Sequence, residues 1–174
     1  MKEMIRYALT LGVICVVASA SLAIVHSMAQ PRIVASALAE EEASLKDVLP
    51  GADRFEPVKA KDDILYYKAF DLNGQEMGVA FKAQGKGYSS TIETMVGMSV
   101  QGEILAIKVL SQKETPGLGA NVAEPDFAAR FSQKSIQDLN KVQAITGATI
   151  SSRAVIDSVT EKAREILGLL KDER

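Results

Sequence analysis

Residues 64–81 read ILYYKAFDLNGQEMGVAF, and this stretch decides the fold. Ile64 to Phe70 and Met77 to Phe81 are short runs rich in aromatic, β-branched and other apolar residues, with Asn73-Gly74 between them. Asn-Gly is the strongest short-range hairpin signal, because a tight two-residue turn needs positive φ at its central positions. A second hairpin is expected further along: Ile92 to Val100, a turn at Gln101-Gly102, then Ile104 to Leu110. Two hairpins in succession predict an antiparallel sheet rather than βαβ units.

Beyond Leu110 the pattern changes. Thr115-Pro116-Gly117-Leu118-Gly119 reads as a loop, Pro125 to Phe131 as a short helix, and Ser151 to Leu170 as a longer one. In the longer helix Val155, Ile156, Val159, Ala163, Ile166, Leu167 and Leu170 follow helical spacing and form a core face. The fold class is therefore α+β, an antiparallel sheet flanked by helices.

On the N-terminal side, Arg32 to Leu49 is rich in helix formers, with Ile33, Ala37, Leu38, Leu45 and Val48 on one face and Pro50-Gly51 as the stop. Before it, Tyr7 to Pro31 is a run of 25 residues without Asp, Glu, Lys or Arg. About 20 apolar residues in a helix cross a ~30 Å hydrocarbon core. A cleaved signal peptide is the competing reading, with Lys2 and Arg6 as its basic flank, but its apolar core is expected to be only about 7–15 residues. An uncleaved anchor fits the length better. Lys2, Arg6 and the terminal amine precede the span, whereas only Arg32 follows it before the acidic run Glu40-Glu41-Glu42, so the positive-inside rule puts the N-terminus in the cytoplasm. The expected organisation is a cytoplasmic segment 1–6, a transmembrane helix 7–28 in the inner (cytoplasmic) membrane, a linker helix 29–50 and an extracytoplasmic domain 51–174.

Composition removes several functions. The 174 residues carry 20 basic and 22 acidic side chains, net −2, which gives no basic field for nucleic acid. One cysteine (Cys15) and one histidine (His26) cannot assemble a multi-thiolate or His-rich metal site, so no metal site is expected. With no acidic residue in the span, this helix alone offers no ion path.

The chemistry concentrates in Ile145-Thr146-Gly147-Ala148-Thr149-Ile150-Ser151-Ser152, which runs into the last helix. It offers small residues that allow another molecule to approach, hydroxyl groups, and free N–H groups at a helix start where the dipole favours an anion. A phosphate at Thr149 is well accommodated there. The plainer alternative is that Ser151 or Ser152 only caps the helix. The 115–119 segment likewise reads, on its own, as an ordinary turn.

Thr146-Gly147-Ala148-Thr149 resembles the [Ser/Thr]-Gly-Ala-[Thr/Ser] flavinylation motif of the FMN-binding domain family found in RnfG and NqrC. Glu114-Thr115-Pro116-Gly117-Leu118-Gly119 resembles that family's ETPGLG loop, and Gly87-Tyr88 before the Ile92 strand fits its opening pattern. The resemblance covers roughly Gly74 to Leu167. It implies FMN joined through its phosphate to the Thr149 hydroxyl, installed by a separate flavin transferase with FAD as donor. It places Thr146, Gly147, Ala148 and Ser151 beside the attachment point. It also places Thr115 and Leu118 against the ring, with Tyr88, Glu114, Gly117 and Gly119 close by. Six residues before the acceptor the family usually has Asp, and this chain has Gln143.

The short chain with one N-terminal span is more similar to RnfG than to NqrC. The implied function is an electron-transfer subunit of a membrane-bound ferredoxin:NAD+ oxidoreductase (the Rnf complex) coupled to Na+ or H+ translocation. Such a component has the complex's other membrane subunits as partners and no complete active site of its own. The alternatives are an NqrC-like component of a Na+-translocating quinone reductase, or a non-redox membrane-anchored binding module.

Overall fold

The computed structural model describes residues 2–60 and 63–172. The chain divides into two units, 1–41 and 42–174. From Lys2 onward the first unit is helical throughout. It belongs to helix α1, which runs unbroken over Lys2–Val48 with Pro31 inside it. Its most apolar 18-residue window has a mean hydropathy of 2.5, and none of that window is buried, so the helix is long and apolar enough to cross a membrane. Ile33 and Leu38, which the spacing places on one face with Leu45 and Val48, are exposed here.

The second unit is built on a six-stranded antiparallel meander in sequence order. The strands are β1 (Arg54–Ala60), β2 (Asp63–Phe70), β3 (Glu76–Lys86), β4 (Thr91–Ser99), β5 (Glu103–Ser111) and the short β6 (Lys134–Ser135). The two expected hairpins are β2–β3 and β4–β5, and their turn glycines carry the left-handed backbone such turns require, φ +76° at Gly74 and +90° at Gly102. Asp71 closes the first turn by accepting the N–H groups of Asn73 and Gln75, each at 2.8 Å. Strands β1 and β6 lie at the two edges and are not expected from the sequence. Pro57 and the charges of Arg54, Glu56 and Lys59 leave β1 without a strand signal. It forms because β2 offers it a pairing edge, and an edge strand tolerates proline.

Alternation along the strands separates two buried faces. Val79, Phe81 and Ala83 of β3 and Ile92, Val96 and Met98 of β4 face one way, into the main core. That core is closed by α3 (Thr149–Asp172), whose stripe Val155, Ile156, Val159, Ala163, Ile166 and Leu170 is buried as its spacing predicts. Helix α3 starts two residues earlier than expected. The short helix expected at 125–131 is α2 (Pro125–Ala128) followed by a 3-10 turn to Phe131. It brings Phe127 and Phe131 into the same core with ring centroids 5.4 Å apart, edge to face.

The opposite face holds Ala69, Ala80 and Met95, covered by Leu45, Val48 and Leu49 from the end of α1. The last turn of the expected linker helix is thus part of the folded domain. Two glycines set how closely these layers approach. A Cβ on Gly97 would collide with the Val48 carbonyl oxygen, and one on Gly85 with the Ala154 carbonyl oxygen of α3.

Thr94 is the exception inside this core. It pairs with Ala83 and faces the same side, fully buried, and among the described residues its hydroxyl has no hydrogen-bond partner. A buried unsatisfied hydroxyl costs about 1–3 kcal/mol. Thr94→Val, which exchanges the hydroxyl for a methyl, is expected to raise unfolding stability by about 1 kcal/mol. Urea denaturation of the detergent-solubilised chain measures it, and a loss of stability would mean that the hydroxyl is satisfied in solution.

Candidate functional site

Three segments meet at the N-terminal end of α3: the 87–90 turn between β3 and β4, the loop after β5, and the 145–151 segment. Each has a local reason for its shape. In the loop after β5 the Leu118 N–H donates to the Thr115 carbonyl at 3.1 Å, closing a turn with Pro116 first and Gly117 second at φ +74°. In the 145–151 segment the Ala148 N–H donates to the Ile145 carbonyl at 3.0 Å, with Gly147 in the same second position at φ +81°. Proline presets the first central position of such a turn, and only glycine takes the positive φ of the second without strain. Gly117 and Gly147 are therefore required by the backbone whatever binds nearby.

Glu114 joins the three segments. It is only 6% exposed and accepts hydrogen bonds from all sides. Its Oε1 accepts the N–H groups of Ser89 at 2.9 Å and Ser90 at 2.8 Å, and the Ser90 hydroxyl at 3.1 Å. Its Oε2 accepts the Tyr88 N–H at 3.0 Å and the Ser151 hydroxyl at 2.6 Å. Among the described residues no cation lies within salt-bridge distance of it. Burial pushes the carboxyl up, but the Ser151 hydroxyl and the Ser89, Ser90 and Tyr88 N–H groups outweigh it and hold its pKa at about 2. The packing is tight: a Cβ at Gly87 would come within 2.7 Å of Glu114 Oε1, and one at Gly119 within 2.6 Å of Ser151 Oγ.

The two serines that could cap the helix are engaged otherwise. Ser151 donates to Glu114, and the Ser152 hydroxyl accepts the Ile145 N–H at 3.0 Å. The first helical bond runs from the Ser152 N–H to the Ala148 carbonyl at 2.9 Å. Among the described residues the backbone N–H groups of Thr149, Ile150 and Ser151 thus have no acceptor, which leaves the positive end of α3 open to an anion. Thr149, the first residue of this helix, is exposed.

A cavity of about 440 Å³ lies against these groups, lined by Tyr88, Glu114, Thr115, Leu118, Gly119, Gly147, Ala148, Thr149, Ile150 and Ser151. Tyr88 is 73% exposed, Leu118 49% and Ile150 56%, so three large side chains stand open around one opening. Of the residues that the resemblance places at the cofactor, Gly117 and Thr146 are the two that do not line the cavity wall. Sequence reasoning takes Gly87 and Ile150 only as parts of their motifs and misses Ser89 and Ser90 altogether. Nothing local in the sequence marks 87–90 as a carboxylate-binding turn, since its partner lies 24–26 residues away. Gln143 is exposed, and its carbonyl accepts Arg130 Nη1 at 2.7 Å.

Comparison with known proteins adds to this geometry. The model of the FMN-binding domain matches residues 87–163, and that of the RnfG N-terminal region matches residues 1–48. The chain is 33% identical over 172 residues to the G component of the ion-translocating oxidoreductase complex of Methanosarcina acetivorans, covering 91% of this chain and 92% of that protein. It is 28% identical to the G component of the proton-translocating ferredoxin:NAD(+) oxidoreductase complex of Clostridium ljungdahlii, over 90% of this chain and 88% of that one. It is also 28% identical to the Na(+)-translocating counterpart of Acetobacterium woodii, over 91% and 89%. Among solved structures, NqrC of Shewanella oneidensis superposes with a TM-score of 0.54 at 22% identity, covering 72% of this chain and 74% of that one. That likeness concerns the fold.

The Glu114 arrangement carries a pH signature. A carboxyl whose folded pKa is depressed stabilises the fold above its unfolded value, near 4.5, and loses that contribution as pH falls toward about 2. Glu114→Gln leaves an amide facing N–H donors and is expected to destabilise the chain by about 2–3 kcal/mol at neutral pH. The gap to wild type is expected to narrow steadily below pH 4.5, as followed by urea denaturation across the acid range. A gap that is constant with pH would contradict the buried, ionised carboxylate.

Proposed function

The chain belongs to the RnfG family of ion-translocating oxidoreductase complex components, and from that premise we propose that it is a flavin-carrying electron-transfer subunit of a membrane-bound ferredoxin:NAD+ oxidoreductase. The observation that carries the reading is the exposed Thr149 hydroxyl at the open start of α3, on the wall of the cavity. FMN fits the residues present. The phosphate finds unengaged N–H groups at the helix start, and Gly147 and Ala148 add no bulk beside the acceptor. A cavity of about 440 Å³ is within the roughly 300–1,000 Å³ typical of small-ligand sites. Tyr88, Leu118 and Ile150 supply exposed apolar surface for a flat aromatic ring.

When bound, FMN supplies one- and two-electron redox chemistry, and the protein supplies position and electrostatics. Thr149 provides the oxygen of the phosphoester. With FAD as donor, the new oxygen–phosphorus bond would replace the pyrophosphate bond, AMP would leave and the hydroxyl proton would pass to solvent. A separate transferase for this step is what the family resemblance implies. The carboxylate in the cavity wall, Glu114, already accepts five hydrogen bonds. The loop 115–119 holds the ring's surroundings, and electrons pass to and from the neighbouring membrane subunits of the complex. The relatives named for H+ and for Na+ are both 28% identical, so likeness does not select the ion.

Covalent attachment is tested by fluorescence of the denatured, gel-resolved protein. The wild type and Ser152→Ala are expected to fluoresce, and Thr149→Ala is expected to lose the signal entirely. Flavin retained on Thr149→Ala would move the attachment elsewhere. A wild type without denaturation-resistant flavin would favour the non-redox binding module.

The orientation proposed is a cytoplasmic N-terminus with residues after the span outside the inner membrane. Lys2 and Arg6 before the span, against the single Arg32 between the span and the acidic run Glu40-Glu41-Glu42, support it. Protease added to sealed spheroplasts is expected to digest the C-terminal domain. Full protection, with an accessible external control digested, would reverse the assignment.

A further inference from the structure

Glu114 combines features that ordinary loop anchors do not. It is a full negative charge, nine-tenths buried, bonded among the described residues to neutral donors alone, and it forms part of the cavity wall. Uncharged N–H and O–H groups stabilise a carboxylate locally but leave its net charge in place. In a buried setting that charge is poorly screened, so it acts on whatever occupies the adjoining cavity. The open end of α3 opposes it with only about half a unit of positive charge.

We propose that Glu114 is a positioning residue with a second role, as the fixed negative charge that sets the redox potential of the flavin held in this cavity. The inference rests on the functional reading above. Adding two electrons to the ring gives a negatively charged product unless two protons follow. A permanent carboxylate nearby disfavours that added charge, so it makes the flavin harder to reduce. The Ser151 hydroxyl, whose positive end points at Glu114 Oε2 from 2.6 Å, partly offsets the carboxylate. The two residues are thus expected to act in opposite directions.

The test is a spectroelectrochemical titration of the full chain in detergent, with dithionite as reductant and redox mediators. Glu114→Gln removes the charge and keeps the side chain's shape. Its midpoint is expected to move upward, by the equivalent of roughly tenfold in the oxidised-to-reduced ratio at fixed potential. An unchanged or lowered midpoint in a flavin-loaded Glu114→Gln would overturn the inference. Ser151→Ala keeps the charge and removes one of its neutralising dipoles, so its midpoint is expected to fall. If Glu114→Gln does not load flavin, Ser151→Ala decides: a lower midpoint supports the proposal, and an unchanged or raised one overturns it. A purely structural tie predicts the same direction of change, or none, in both variants. A wild type lacking covalent flavin would remove the functional reading first, an outcome separate from either variant's shift.

Discussion

The site depends on one buried carboxylate. Glu114 holds the 87–90 turn by three backbone N–H groups and the start of α3 through Ser151, while its own backbone leads into the 115–119 loop. Among the described residues no other hydrogen bond joins the 87–90 turn to the start of α3. The Lys113 N–H, which donates to Ser90 Oγ at 2.8 Å, ties the 87–90 turn to the same loop, so the Glu114–Ser151 bond is what links both to the start of α3. Gly87 and Gly119 serve the same end, because a side chain at either would push the carboxylate or Ser151 out of place.

The sheet and α3 make this constraint tolerable. A buried anion is costly, and the domain accommodates it beside a core of Phe81, Phe127, Phe131, Ile156, Val159 and Ile166 that fixes the start of α3. Close approach of α3 to β3 at Gly85 fixes it further. On the opposite face the end of α1 seats Leu45, Val48 and Leu49, and Lys108 pairs with Asp47 at 2.7 Å across that contact. The exposed pair adds little stability of its own.

Much of the fold is legible in the sequence because its signals are local. Asn73-Gly74 and Gln101-Gly102 mark the hairpins, and the Val155 to Leu170 spacing marks the core face of α3. Strand β1 is illegible because pairing with β2, not its own sequence, makes Arg54–Ala60 extended. The burial of Leu45 and Val48 is half visible: their spacing can be read, but not the sheet face that covers them. At the site, Thr149 and its small neighbours are readable from the helix start and from family resemblance. The role of Glu114 is not, because its partners come from segments 24–37 residues away and carry no motif that announces an anion. Gly117 and Gly147, which the resemblance makes cofactor neighbours, have a sufficient cause in their turns.

The hydroxyl presented at the open start of α3 is the group proposed to carry the flavin. Cleavage after Lys141 and Arg153 releases Val142–Arg153, which holds Thr146, Thr149, Ser151 and Ser152 together. Tandem mass spectrometry of this peptide from the native chain tests the attachment most directly. One FMN, less one water, is expected on it, with fragment ions assigning the mass to Thr149. An unmodified peptide, or FMN on Thr146, Ser151 or Ser152, would contradict the assignment.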